Sequence, residues 1–315
     1  MTNAILRGKP DAGKSHFRFG EGEVASAKPR HGSLLYMPKF RLLSFACAVF
    51  AVASGYSGGF PERGMIAHRG DMGTYPENTV EAFKSAVLRG VEMVEFDVKR
   101  CKTGELVVIH DADVSRTTDG KGQVGKMTFG EIRKLDAGVK SGYRFKGIRV
   151  PSFEEAIACF PKDGPLLNIH LGWDVAEEVA HRIVEAGRER QAVLMSNPTV
   201  ARRLRATCPG VRVGFVIGAK HSHAYVFKDW TPEVRKADID TAVELKVDFL
   251  QMLTPFLLTD DEKARLRAAG VRTTYFSANA AGAFKPLVDA GYDFIFTDNV
   301  ERYRGEYLKC VEAAN

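Results

Sequence analysis

The chain has 315 residues and a formal net charge of +6, with 45% hydrophobic and 27% charged residues. That composition excludes a disordered or fibrous protein, and the length suits one large domain or two small ones with ample core. The positive charge invites a nucleic-acid or membrane reading, so its position along the chain matters. Eight of the 45 basic residues and three of the 39 acidic ones precede residue 54, which leaves 37 and 36 for the remainder. The body of the chain is close to neutral. It carries no basic motif with interleaved aromatics, so nucleic-acid binding is not expected.

Residues 1–36 lack apolar periodicity. Met37-Pro-Lys-Phe-Arg41 is a short basic stretch, Leu42 to Ala53 is an apolar run of 12 residues, and Ala51-Val-Ala53 places small residues at a cleavage site. This is the three-part layout of a secretory signal peptide. Twelve residues are too few for a stable membrane span, which takes about 20. A buried core helix is the competing account. The expectation is an atypical leader over 1–36 (or a true start at Met37), a signal peptide over 37–53, and export to the periplasm or beyond. Cys47 would leave with the signal. Cys101, Cys159, Cys208 and Cys310 would remain, as one or two disulfides or as four free thiols. None has metal-site spacing.

From residue 60 to residue 310, short apolar strands alternate with amphipathic helices. The strands are expected at Met65–His68, Met93–Lys99, Leu106–His110, Leu166–Leu171, Ala192–Met195, Val211–Ile217, Phe249–Leu253, Val271–Phe276 and Phe294–Thr297. The helices are expected at Asn78–Arg89, Ser152–Cys159, Asp174–Glu189, Pro198–Thr207, Pro232–Leu245, Asp260–Ala269 and Ala280–Ala290. Asn78, Ser152 and Asp174 read as helix caps. Gly90, Gly187, Gly270 and Gly291 read as helix stops. Alternation of this kind implies a parallel sheet. With Leu106–His110 as an accessory strand, eight βα units remain, and eight units in about 250 residues is the size of a (β/α)8 TIM barrel. The stretch of about 111–150, after the second strand region, breaks the rhythm and reads as an insertion with one short helix near Gly130–Leu135. A doubly wound open sheet is the alternative. No Gly-rich nucleotide fingerprint follows the first strand, which counts against a nucleotide-binding version of it.

Glu95 and Asp97 lie two apart on a strand, so both carboxylates face one side while Val94, Phe96 and Val98 face the other. Two converging carboxylates repel and are costly to desolvate. A divalent cation resolves both problems, and hard cations prefer oxygen ligands. The competing account is a solvated strand face paired to Lys or Arg. His68-Arg69-Gly70 closes the first strand and His110-Asp111 closes Leu106–Ile109. Strand C-termini are where a parallel barrel carries its chemistry. Two histidines there can act as acid and base, and Arg69 offers a fork for phosphate or carboxylate.

His68-Arg-Gly70, Pro76-Glu-Asn-Thr79, Ala82-Phe83, Glu95-Phe-Asp97, His110-Asp111 and Arg116-Thr-Thr118-x-Gly120 together resemble the glycerophosphodiester phosphodiesterases. Leu135-Asp-x-Gly138, Pro151-Ser-Phe-Glu154, Gly291-Tyr-Asp293 and Thr297-Asp298 extend the match over roughly 64–300. The resemblance implies a TIM-barrel hydrolase that uses a divalent metal to split small glycerophosphodiesters into glycerol 3-phosphate and an alcohol. It implies His68 and His110 as the acid/base pair, Arg69 as a phosphate contact, and Glu95 and Asp97 as metal ligands.

The chain departs from the family along Leu167-Asn-Ile-His-Leu-Gly172. The family usually shows Glu-x-Lys where this chain has His170 and Gly172. His170 has the parity to face inward and is a candidate third metal ligand. A neutral imidazole in place of a carboxylate weakens Mg²⁺ or Ca²⁺ and favours Mn²⁺ or Zn²⁺ relative to the usual site. Alternatively, His170 hydrogen-bonds in the barrel lumen. Lys220, after the strand Val211–Ile217, is a candidate substrate contact in place of the missing lysine. Trp173, Tyr275 and Phe276 lie near strand ends, where they serve as core or as channel wall. Two further functional readings stand beside the leading one. One is a phosphodiesterase of lysophospholipids or related head groups. The other is a degenerate barrel that binds phosphodiesters without cleaving them.

Overall fold

The computed structural model describes residues 61–219, 231–253 and 257–314. β1 (Gly64–Ala67), α1 (Val80–Leu88), β2 (Met93–Arg100) and β3 (Leu106–Val108) come first. After short helical turns and α2 (Phe129–Ile132) come α3 (Phe153–Ala158), β4 (Leu166–Leu171), α4 (Ala176–Glu185), β5 (Ala192–Ser196) and α5 (Pro198–Thr207). The remaining elements are β6 (Arg212–Val216), α6 (Pro232–Leu245), β7 (Phe249–Leu253), α7 (Asp260–Ala268), β8 (Arg272–Phe276), α8 (Phe284–Asp289), β9 (Phe294–Thr297) and α9 (Val300–Ala314).

The strands run in the order β1-β9-β8-β7-β6-β5-β4-β2, and β1 pairs back onto β2 to close the ring. All eight ring contacts are parallel. This is the expected (β/α)8 barrel. β3 lies outside the ring as an antiparallel partner of β2, which is the accessory role expected for Leu106–His110.

The two faces of each strand go to two cores. Val94, Phe96 and Val98 of β2 join Phe83 and Phe160 in the layer between strands and helices. Met93, Met195, Phe249 and Phe294 fill the barrel interior. A third cluster, with Val114, Val124, Ile132 and Val150, gives the insertion its own small core. The lumen is packed below, so a site can open only at the strand C-termini.

Several boundaries differ from the sequence expectation. Asn78 is not the cap of α1. Thr79 is, accepting from the Ala82 amide, while Asn78 sits at φ 56 with its side chain committed elsewhere. Asp174 does not cap α4, whose N-cap is Val175 without a side-chain bond. Instead the Asp174 carbonyl accepts from Arg100. α8 starts four residues later than expected, because the preceding chain follows β9, with Ala278 N–H donating to the Phe296 carbonyl. The sequence reading missed α9, a charged helix that buries Val300, Tyr303 and Tyr307. Ser152 caps α3 in a capping box, and Gly90, Gly187, Gly270 and Gly291 all have positive φ. Cys101, Cys159, Cys208 and Cys310 are free thiols, so among the described residues the disulfide alternative fails. No helix among them is long and apolar enough to cross a membrane. The leader and signal calls, residues 1–36 and 37–53, lie outside the described residues.

Candidate active site

Glu95 and Asp97 point into the mouth of the barrel and are almost fully buried. His170 on β4 is the register partner of Asp97. Donor atoms of Glu95, Asp97 and His170 all lie within 4.8 Å of one another. Burial, together with the Asp97 charge, pushes the Glu95 carboxyl well above the usual range. Burial also opposes ionisation of Asp97, but the neighbouring His110, His170 (charged only in the acid range where Asp97 takes up its proton) and Arg69 outweigh it and hold Asp97 below its usual value. Burial lowers His170 to about 4, so at neutral pH its ring is an uncharged ligand. Two buried carboxylates and a neutral imidazole suit a divalent cation, which would replace the hydration both carboxylates have lost. The structure thus brings the three expected ligands together. At Gly172 a Cβ would lie 2.7 Å from Asp174 Oδ1, so a larger side chain there requires Asp174 to move.

The two histidines flank this set, each held by an aspartate. His68 Nδ1–H donates to Asp298 Oδ1 at 2.5 Å, leaving Nε2 3.9 Å from Glu95 Oε2. His110 Nδ1–H donates to Asp111 Oδ1 at 2.7 Å. The Arg116 hydrogen bond, aided by His110, holds Asp111 down at about 2. Arg116 also clamps Glu77 through two bonds of 2.6 and 2.8 Å, and Glu77 accepts from Arg69 Nη1 at 2.7 Å. Arg69 Nε then faces Asp97 Oδ2 at 3.6 Å. From the aspartate that holds His110, alternating charges therefore run through Arg116, Glu77 and Arg69 to Asp97.

The turn after β1 makes this possible. Arg69 adopts φ 52 and Gly70 φ 81, and a Cβ at Gly70 would press to 2.8 Å from the Ala82 Cβ. A left-handed arginine costs about 1 kcal/mol or more. In return its amide donates to Glu95 Oε2 at 2.8 Å. Asn78, also left-handed, donates from Nδ2 to Asp97 Oδ2 at 2.9 Å. Asparagine tolerates that conformation better than most residues. Below, the buried Asp71 ties the turn to α1 through Ser85 and Arg89.

His68, Arg69, Glu95, Asp97, His110 and His170 line one cavity of about 550 Å³, completed by Gln251, Leu253, Phe276, Ser277 and Phe296. Phe276 packs edge-on to His68, with ring centroids 4.8 Å apart, so it is channel wall. Trp173 is exposed and Tyr275 is buried in the core. Lys220 lies outside the described residues. The sequence reading quoted Glu77, Arg116 and Asp298 within motifs without giving them roles. Asp298 follows the end of β9 directly, and the strand-end rule that found His68 applies to it equally. Gln251 carried no sequence signal beyond its inward parity.

The eight-stranded parallel barrel thus carries two aspartate-held histidines and a carboxylate-rich donor set at one mouth, an arrangement suited to holding a cation and moving protons. The sequence pattern of the glycerophosphoryl diester phosphodiesterase family matches residues 68–302, and the chain belongs to that family. A glycerophosphodiester phosphodiesterase of Caldanaerobacter subterraneus is 38% identical over 159 residues, which is 48% of this chain and 65% of the relative. The chain thus spans just under two thirds of that relative's length. A phosphodiesterase of Oleispira antarctica, solved with the product sn-glycerol-3-phosphate, is 26% identical with a TM-score of 0.63, covering 79% of this chain and 96% of that one. A glycerophosphodiester phosphodiesterase of Agrobacterium tumefaciens superposes with a TM-score of 0.65 at 23% identity, over 76% of this chain and 98% of that one, a likeness of fold.

Proposed function

We propose that the protein is a metal-dependent phosphodiesterase that cleaves small glycerophosphodiesters to glycerol 3-phosphate and an alcohol. The observation that carries this reading is the meeting of His68, His110, Arg69 and the Glu95–Asp97–His170 donor set in one cavity. A divalent cation held by those three residues would polarise a phosphoryl oxygen and neutralise its charge. Arg69, held by Glu77, shares the phosphoryl charge through its remaining N–H groups. Each aspartate fixes its histidine with Nδ1 protonated, which leaves Nε2 to accept or return a proton. One of the two histidines takes the proton of the attacking oxygen and the other protonates the leaving alkoxide. His170 in place of a carboxylate makes the set less anionic. The two carboxylates suit Mg²⁺ or Ca²⁺ in the first instance, while the imidazole favours Mn²⁺ or Zn²⁺ more than a three-carboxylate site would.

The test is turnover of glycerophosphocholine, glycerophosphoethanolamine and a lysophospholipid with added Mg²⁺, Ca²⁺, Mn²⁺, Zn²⁺ or EDTA. Metal-dependent release of glycerol 3-phosphate supports the proposal. Turnover of the lysophospholipid alone assigns a head-group enzyme, and none with any metal assigns a binding barrel. We also place the mature protein outside the cytoplasm, on the signal-peptide pattern of residues 37–53. Intact mass of the natively produced protein checks this, and a mature chain that still carries residues 37–53 would overturn it.

A further inference from the structure

Ala137-Gly-Val-Lys-Ser-Gly-Tyr-Arg-Phe-Lys-Gly-Ile-Arg149 holds four basic residues and no acidic one. The body of the chain is close to neutral, so this is a local concentration of charge. The segment leaves the insertion and returns to it as a loop with a pinned neck. The Ala137 amide donates to the Ile148 carbonyl at 2.8 Å. The buried Asp136 carboxylate accepts the Gly138 and Val139 amides on Oδ1 at 2.9 and 3.0 Å, and the Gly147 amide on Oδ2 at 2.7 Å. The Phe145 carbonyl leaves no room for a Cβ at Gly138. Phe145 itself folds back and is buried, its ring centroid 5.6 Å from that of Tyr75.

Tyr143, at the tip, does the opposite. It is 88% exposed, and no large apolar side chain among the described residues is more so. The loop thus packs one aromatic ring inward and holds the other out, where it gives up the gain of burial. Lys140, Arg144 and Lys146 are exposed around it, with Lys146 Nζ 6.0 Å from the Tyr143 ring centroid. The loop leans on the barrel mouth. Arg144 donates to the Thr74 carbonyl at 3.4 Å, in the turn that follows His68 and Arg69. Lys140 donates to the carbonyl of Ser115, the neighbour of Arg116. Trp173, just past β4, and Leu257, past β7, are about half exposed at the same end of the barrel. A protruding tip of this kind cannot bury the roughly 800 Å² per partner that a stable protein interface takes. A lipid surface asks for less. It needs an amphipathic ring at head-group depth and cations facing anionic head groups.

We propose that the loop of residues 137–149 is an interfacial anchor that seats the barrel mouth on a membrane surface rich in anionic phospholipid. Tyr143 enters the head-group layer, and Lys140, Arg144 and Lys146 meet the lipid phosphates.

The test is flotation of the natively produced protein with vesicles of phosphatidylcholine alone and of equimolar phosphatidylcholine and phosphatidylglycerol. The wild type is compared with Tyr143→Ser and with the double variant Lys140→Gln, Lys146→Gln. The wild type should partition onto the mixed vesicles and come off as salt is raised. Tyr143→Ser should weaken that partition roughly fivefold or more. The double variant should weaken it roughly tenfold or more, since each basic residue near an anionic surface counts. Thermal stability should stay unchanged in both, because the altered side chains are exposed. A second measurement reads the tip alone. Brominated phosphatidylglycerol should quench the fluorescence of Tyr143→Trp beyond that of the wild type. Equal flotation of all three forms, or no added quenching in Tyr143→Trp, overturns the proposal. A wild type that floats with neither vesicle also overturns it and leaves an acidic protein as the occupant of the tip. Binding is read without turnover, so the outcome is independent of the phosphodiesterase reading.

Discussion

His68 and Asp298 stand 230 positions apart in the chain, yet His68 Nδ1 and Asp298 Oδ1 lie 2.5 Å apart across the seam where the first and last barrel strands meet. Asp298 is fixed in turn by Asn279, which donates from Nδ2 at 2.7 Å. The pair sets the tautomer of His68, so Nε2 alone faces the cavity. Asp298→Asn should lower kcat by roughly 10- to 100-fold with little change in KM, a part of what acid/base catalysis supplies. Steady-state kinetics on glycerophosphocholine check this. A change confined to KM would remove Asp298 from the proton-handling machinery.

Glu77 holds Arg69 and Arg116 at once, with most of its side chain out of water. Its charge is maintained against burial by the Arg116 hydrogen bond and the nearby Arg69 charge, and its pKa lies below the usual value. Glu77→Gln should cost about 1–3 kcal/mol of stability, because two cations lose a shared partner. It should also raise KM several-fold by freeing Arg69. Urea unfolding and kinetics read the two effects separately, and a variant matching the wild type in both would show the clamp to be idle.

The third donor is the place to alter metal choice. His170→Glu restores an anionic ligand on β4 beside Asp97. Calcium and magnesium should bind roughly tenfold tighter and zinc more weakly, since hard cations gain most from a carboxylate. Calorimetric titration of the metal-free protein gives both affinities. Equal affinities for all ions before and after the change would place His170 outside the coordination sphere.

Metal binding should weaken with acid, and Glu95 is the reason. Its folded-state pKa is raised by burial and by Asp97, so a proton competes with the metal at that carboxyl. His170, lowered to about 4, is neutral throughout the neutral range and does not compete. A carboxyl with a raised pKa contributes stability while protonated, and that contribution is lost as pH rises through the folded value. The metal-free protein should therefore lose stability as pH rises through the Glu95 pKa, and the metal should restore it. Affinity should climb with pH, with proton release on binding, which titration in two buffers of different ionisation enthalpy measures. An affinity independent of pH, with no proton release at any pH from the ordinary carboxyl range upward, would contradict this.

The sequence alone determined a good deal of this protein. The inward pairing of Glu95 and Asp97 follows from the two-residue period of a strand, and the barrel follows from the count of strand–helix units. His68, Arg69 and His110 were legible as strand-end residues carrying a family's motif, and His170 by parity in the departing strand. Those are properties of local spacing, which the backbone period translates directly into a face. Only the tertiary structure decided what each side chain was committed to. Asn78 resembles a helix cap but is spent on Asp97, and Glu77, Arg116 and Asp298 matter through partners brought together by barrel closure. α9 escaped notice because its buried stripe is narrow and its charges many, and its place is set by packing against the barrel.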